Sequence, residues 1–315
     1  MSNSAFCFLR TIQNLPNMIR HTPRELSVTI PNGLTIGGRI WGQSTATNKV
    51  LCIHGFLDNA ATFDVLIPRL LNILDEPTEF VCMDCAGHGN SSHRSKDGQY
   101  CYTNRAMDAI QVATALGWDK FSLMSHSMGA NTSVLIAGIV PDRIIKTVCI
   151  DCIGPPTREL EETTVLLRKH IEMQEKMLNR KRRLYKTRDE AVSRITSLNP
   201  FLKPSSATYL CNYGMKEVEG GFMFKHDLRL SFRFPPNQGY SREQTDQFLK
   251  AITCPLLLFW ASPNKRNYKA NEQRALEYQA LIKDFRKINV DAGHHFHLDE
   301  PELCDEHIAK FFSTK

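Results

Sequence analysis

Ser127 sits in the string Ser125-His126-Ser127-Met128-Gly129, between a β-type run (Phe121 to Met124) and a helix-compatible run (Asn131 to Val140). A strand that turns abruptly into a helix forces its turn residue into a strained backbone. Only small residues two positions to either side let the two elements approach, and Ser125 and Gly129 are small. The chemistry this suggests is nucleophilic: a serine hydroxyl that adds to a carbonyl, given a base, an acid to orient the base, and donors for the developing oxyanion.

Candidates exist for each part. His294 follows Gly293 in the loop after the last strand-like run, and His295 and His297 crowd the same loop, so position alone does not choose among the three bases. His54, Gly55 and Phe56 end another apolar run, where Gly55 lets the backbone turn and the Phe56 amide face the amide of Met128 as an oxyanion hole. His54, Gly55 and His126 are expected to line the substrate. For the acid, the loop after Trp260 holds Asn264, which has no charge to offer an imidazolium. Asp151 is the better candidate, since the order Ser127, Asp151, His294 keeps nucleophile, acid and base in sequence. Asp291 and Asp299 flank the histidine loop itself and are weaker choices. Asp84, Gly87, His88, Gly89 and Ser91 form a turn in which the glycines supply positive-φ positions, Asp84 fixes the loop, and His88 is support.

These residues must be held by alternating elements. Leu26 to Ile30 and Leu34 to Trp41 flank Asn32-Gly33, a pair that favours a type I′ hairpin. Strands are expected at Val50 to His54, Phe80 to Asp84, Phe121 to Met124 and Lys146 to Asp151, with helices at Ala60 to Leu74 and Asn104 to Leu116 and another beginning near Ser127. Such a succession implies a parallel sheet covered on both faces, with ligands gathered at the carboxyl ends of its strands. After Pro155-Pro156 the alternation breaks. It resumes with strands at Pro255 to Trp260 and Phe285 to Val290 and a closing helix from Pro301 to Phe312. The domain expectation is an arm at 1–25, a core at 26–155 and 253–315, and a helical cap at 156–252.

Composition excludes several classes. A formal charge of +6 over 315 residues is too small to argue for nucleic acid. No apolar stretch approaches the roughly 18 residues of a membrane span. Ten cysteines, several within apolar runs, read as reduced thiols of a reducing, cytoplasmic compartment. The first 24 residues are basic without an acid, which keeps a mitochondrial location open, and the end at Lys315 falls short of the peroxisomal Ser-Lys-Leu. Two C-x-x-C spacings, Cys82/Cys85 and Cys149/Cys152, invite zinc. Their strand ends should lie about three strand spacings of 4.8 Å apart, too far for Zn–S bonds of about 2.3 Å. No cofactor and no metal is expected.

HGFLDN at 54–59, DCAGHGNS at 84–91, SHSMGA at 125–130 and GHHFHLDEP at 293–301 together resemble the α/β-hydrolase superfamily, and most closely the serine hydrolase-like proteins. That resemblance implies an α/β-hydrolase fold: a mostly parallel eight-stranded sheet, helices on both faces, an inserted helical cap. It also places the nucleophile on Ser127 and the base on His294 rather than His295 or His297, and it is compatible with an acid at Asp151. Ser125 for Gly, Ala130 for Gly and Asn264 for an acid depart from the pattern.

Because an elbow serine adds to a carbonyl whereas an aspartate would displace halide or open an epoxide, the expected activity is a carboxylesterase- or thioesterase-type hydrolase. Its substrate would be a small, largely apolar ester or thioester. The alternative is a catalytically impaired hydrolase-fold binder of a small ligand, motivated by Asn264. In the cap, Leu166, Met173, Met177 and Leu184 recur at helical spacing, and Phe201, Tyr209, Tyr213, Phe222 and Phe224 follow, as packing core with a few pocket residues. Arg180, Lys181, Arg182 and Arg183 read as a solvated helix face that could draw an anionic leaving group such as coenzyme A. Sequence is silent on oligomeric state.

Overall fold

The computed structural model describes residues 21–178, 180–230, 239–262 and 272–313. Strands β1 (Arg24–Thr29) and β2 (Thr35–Trp41) form a hairpin. Then β3 (Asn48–Ile53), α1 (Leu66–Ile73), β4 (Thr78–Met83), α2 (Tyr102–Ala115), β5 (Phe121–His126), α3 (Met128–Ile139) and β6 (Ile144–Ile150) alternate. A long excursion carries α4 (Thr163–Leu178), α5 (Arg188–Leu198), α6 (Pro204–Gly214), the hairpin β7 (Met215–Val218) with β8 (Gly221–Phe224), and α7 (Arg242–Lys250). Next come β9 (Leu256–Ala261), α8 (Glu272–Leu281), β10 (Phe285–Val290), a helical turn α9 (Phe296–Asp299) and α10 (Asp305–Ser313).

The main sheet has eight strands in the order β1-β2-β4-β3-β5-β6-β9-β10. From β4 to β10 every neighbouring pair is parallel, and only β1–β2 and β2–β4 are antiparallel. Successive residues point to opposite faces, and each face has its own core. Leu51, Ile53, Leu123, Cys149 and Leu258 join one apolar cluster, shared with α2 and α3. Val50, Cys52, Met124, Val148 and Phe259 join the other, shared with α1 and α10. Continuous apolar runs in these strands are therefore required rather than incidental.

Several local expectations change. The β1–β2 connection is a three-residue loop, Pro31-Asn32-Gly33, closed by Ile30 N–H donating to Leu34 O at 2.9 Å. Asn32 is not among the positive-φ residues, whereas Gly33 has φ 84°, so the turn is not type I′. Proline pre-sets an ordinary type I turn, and the glycine takes the left-handed position after it. The helix expected over Ala60 to Leu74 is split into a 3₁₀ turn at Ala60–Phe63 and α1. Asn59 caps the first piece, and Pro68 is tolerated in the first turn of the second, where its missing N–H has no partner to lose.

The excursion from 156 to 252 has its own apolar cluster, built from residues such as Tyr185, Ala191, Leu202, Leu210 and Met215. It is not purely helical, since β7 and β8 lie within it, and α7 packs against α3 of the sheet's own layer. Leu166, Met173 and Met177 are half-buried on α4. Leu184, Phe201 and Tyr209 are exposed and do not pack as expected. Arg180 to Arg183 follow the end of α4 and form no helix face. Arg182 instead donates to the carbonyls of Phe224 and His226.

All nine described cysteines with assigned state are free thiols. As expected, β3 and β5 separate the strands that carry the two C-x-x-C pairs. Among the described residues no helix is long and apolar enough to cross a membrane. The basic segment 1–20, expected as part of an arm, lies outside the described residues.

Phe259 is fully buried in β9 and its carbonyl accepts the Asp151 amide at 2.9 Å. Truncation there should remove packing in the core shared with α1 and α10. Phe259→Ala is expected to destabilise by about 3–5 kcal/mol, read as a shifted urea midpoint.

Candidate active site

The turn from β5 into α3 places Ser127 at φ 52°, ψ −114°, a region that non-glycine residues rarely occupy. Two residues on, a Cβ at Gly129 would lie 2.1 Å from Ile53 O, so only glycine lets α3 come this close to the end of β3. Ser125 is buried, and its Oγ lies 2.6 Å from Ser133 Oγ, which accommodates the departure from glycine at this position. The Ser127 amide donates to Ile150 O at 2.9 Å, tying the turn to β6.

His294 Nε2 lies 2.9 Å from Ser127 Oγ, and His294 Nδ1 lies 2.6 Å from Asp151 Oδ2. The second carboxylate oxygen of Asp151 accepts the Ala261 amide at 2.8 Å. Asp151 is fully buried and also takes a positive φ, of 50°. An ionised carboxylate with both oxygens engaged fixes the imidazole with Nδ1 protonated and leaves Nε2 to accept from the serine. The other acids considered lie elsewhere: Asp291 is bonded to Ser262 Oγ and Asp299 accepts from the Lys203 amide. Asn264 is outside the described residues.

Gly55 begins the turn after β3. A Cβ there would fall 2.7 Å from both Asp58 Oδ2 and His126 Nδ1, which excludes any side chain. Phe56 follows, half-buried, and Leu57 holds φ 62°. Met128 is the first residue of α3, so its amide is one of the initial N–H groups with no acceptor inside the helix.

His54 and His126, expected to line a substrate, are fully buried and engaged by protein atoms. His54 Nδ1 lies 2.7 Å from Gly55 O, and Nε2 lies 2.9 Å from the Cys85 amide nitrogen. His126 Nε2 donates to His294 O at 2.9 Å, while Nδ1 lies 3.2 Å from Asp58 Oδ2. Both rings therefore brace the walls and leave no nitrogen for a substrate. Asp84 does what its turn required: Oδ1 accepts the Ala60 amide and Oδ2 accepts the Asn90 amide and the Tyr213 hydroxyl. His88 is buried against His54, as support.

Sequence reasoning assigned no role to Asp58. It lies within HGFLDN, and its position four residues after His54 gave no sign that it faces His126 and His295. The His126 ring is packed against His294, His295 and His297, with centroids 4.5, 4.7 and 4.3 Å away. His297 Nε2 bonds Thr62 Oγ1 at 2.9 Å, which accounts for the third histidine of the loop.

Burial decides most charges in this cluster. It pushes His294 down to about 3, helped by the neighbouring His126 and opposed by Asp151. Burial likewise lowers His126, and takes His297 and His88 well below the usual imidazole range. Burial lowers His295 too, but Asp58, Asp299 and Asp151 together raise it above the usual value, and His295 and His126 hold Asp58 well below the carboxylate range despite its burial. At neutral pH His294 is thus a neutral acceptor of protons.

Histidines lowered by folding bind protons in the unfolded chain that the folded chain refuses, so their effect appears below the ordinary value of 6.5. Each excluded proton costs about 1.4 kcal/mol per pH unit in that window. His226, lowered to about 4 by burial and then by Arg182, adds to the set, and His295 alone among the loop's histidines works against it. Thermal midpoints should therefore fall steadily as pH drops from 6.5 toward 4, as calorimetry would show. A midpoint that rises over this range would contradict the neutral state of these rings.

Residues 48–301 match the family model for the α/β-hydrolase fold. A serine hydrolase-like protein of Danio rerio is 31% identical over 94% of this chain and 90% of its own length. Another, from Dictyostelium discoideum, is 29% identical over 91% of this chain and 81% of its own. Among solved structures, a hypothetical protein of Pseudomonas aeruginosa PAO1 superposes with TM-score 0.83 at 29% identity, covering 92% of this chain and 99% of that one. A thioesterase domain from the curacin biosynthetic pathway shares the fold at TM-score 0.78 and 20% identity, over 93% and 100% of the two chains. With its eight-stranded sheet, its serine at the strand-to-helix turn and a family match over most of its length, the chain belongs to the α/β-hydrolases and, within them, to the serine hydrolase-like proteins.

Proposed function

We propose that the protein is a serine hydrolase that cleaves a carboxylic ester or thioester of a small, largely apolar molecule through an acyl-enzyme on Ser127. The observation that carries this reading is the unbroken line Asp151 Oδ2, His294 Nδ1, His294 Nε2, Ser127 Oγ, with contacts of 2.6 and 2.9 Å. In the first half-reaction His294 Nε2 takes the Ser127 proton as Oγ bonds to the substrate carbonyl carbon. The carbonyl electron pair moves onto oxygen, where the Phe56 and Met128 amides receive it. Collapse breaks the bond to the leaving group, which takes the proton from His294. Water repeats the sequence on the acyl-enzyme and releases the acid.

Asp151 holds the imidazole in the tautomer that accepts at Nε2 and stabilises the imidazolium that forms. The Ala261 amide, bonded to its other oxygen, keeps the carboxylate from rotating away. The segment from 156 to 252 acts as a cap over the strand ends and sets which acyl groups enter. Its separate apolar cluster supports that role.

A fluorophosphonate should label wild-type protein on Ser127, read by mass spectrometry, and Ser127→Ala should remove the label without loss of fold. Failure to label under conditions that modify a control esterase would count against the proposal. Asp151→Asn keeps the shape but favours the wrong imidazole tautomer, so turnover of an activated ester is expected to fall by about 10⁴. A loss below tenfold would mean that another group orients His294.

A further inference from the structure

Arg105 lies in the first turn of α2, the helix that follows β4, and so stands at the same carboxyl edge of the sheet as Ser127. It is only 7% exposed, and its Nε is sealed from solvent without an acceptor. Among the described residues its guanidinium meets neither a carboxylate nor any other hydrogen-bond acceptor. Asp108, one turn along the helix, is engaged elsewhere: Oδ1 accepts from Asn32 Nδ2 at 3.0 Å, and Oδ2 pairs with Arg94. What the guanidinium does meet is the face of Tyr102, with Cζ 4.3 Å from the ring centroid. A ring face eases a buried cation but leaves its fork of N–H donors unused. The position is also a poor one for a cation, because the N–H groups of a helix's first turn already carry positive charge. Buried charges are rarely kept without a counter-charge.

A second guanidinium approaches the same ring from the excursion. Arg158 follows β6, and its amide donates to Tyr240 O at 2.9 Å. Its stem packs on Gly239, where a Cβ would fall 2.0 Å from Arg158 Cγ, and its Nε is likewise sealed without an acceptor. Burial raises the Tyr102 phenol, and the charges of Arg105 and Arg158 both oppose that rise, which sets the two cations around one ring. Tyr102 Oη lies 3.4 Å from Asn131 Nδ2, and the Asn131 amide donates to Ser127 O at 3.2 Å. One tyrosine and one asparagine therefore separate this positive pair from the nucleophile.

We infer that Arg105, with Arg158 beside it, binds an ionised carboxylate of the substrate. The inference rests on Ser127 being a hydrolytic nucleophile, and it narrows the substrate to an ester or thioester whose apolar body carries a free carboxylate at one end. The planar fork of Arg105 matches the two oxygens of that group, while Tyr102 covers the guanidinium face. Anchored there, the molecule is held by one end as its scissile carbonyl meets Ser127 Oγ.

The test compares para-nitrophenyl half-esters of adipate, suberate and sebacate with the same compounds capped as methyl esters. For a carboxylate on the leaving group, it compares the butyryl ester of para-hydroxybenzoate with that of methyl para-hydroxybenzoate. In one of these series wild-type kcat/KM should favour the charged member by about tenfold or more. Arg105→Met should abolish that preference, and Arg105→Lys, which keeps the charge without the fork, should retain part of it. Neutral members favoured throughout, or a preference that survives Arg105→Met, would overturn the assignment. Should Arg105→Met fail to fold by circular dichroism, calorimetric binding of the same compounds to Ser127→Ala decides. There the charged members should bind about tenfold more tightly or better, and equal binding would overturn the site. Because that measurement needs no turnover, its failure is separate from any failure of Ser127 to react.

Discussion

How near the first turn of α3 comes to the end of β3 governs the whole carboxyl edge of the sheet. The contact is backbone to backbone, at Gly129 against Ile53 O, and it admits no side chain. Ser127 is driven into a positive φ as a result, a strain of about 1–3 kcal/mol that persists only because the surroundings over-determine it. What over-determines it is the sheet, with an apolar core on either face and β5 at its centre. A rigid scaffold therefore fixes a hydroxyl in a position that no isolated peptide would hold.

Asp151 is held in a related way. Asp151 stands at the tip of β6, yet one of its oxygens is bonded to Ala261, the last residue of β9. Its carboxylate is thus moored to the neighbouring strand, at whose end the sequence offers Asn264 rather than an acid. The tips of β6 and β9 are thus joined through the carboxylate that bears on His294. The left-handed backbone at Asp151, φ 50°, is what swings the carboxylate toward β9.

Much of this could be read in the residues. The parallel sheet followed from alternating apolar runs, and Ser127 from small residues at two fixed offsets, because backbone geometry permits few alternatives there. The excursion after Pro156 was harder. Its residues pack mainly on one another, so helical spacing alone could not separate buried Leu202 from exposed Leu184 and Phe201. Asp58 was invisible for a different reason: its partners His126 and His295 are 68 and 237 residues away, and no local pattern marks such a meeting. The same distance hid the fact that His54 and His126 serve the walls, since a ring's role depends on what occupies each nitrogen.

Leu298 belongs to the apolar cluster of the excursion, together with Ala207 and Leu210 of α6, although it stands only four residues beyond His294. Ser206 Oγ bonds its carbonyl at 3.4 Å, and Lys203 bonds Asp299 and Glu300. α6 and the loop that carries His294 are in this way one mechanical unit. Any displacement of α6 would therefore be transmitted to His294 through Leu298, four residues along the same loop.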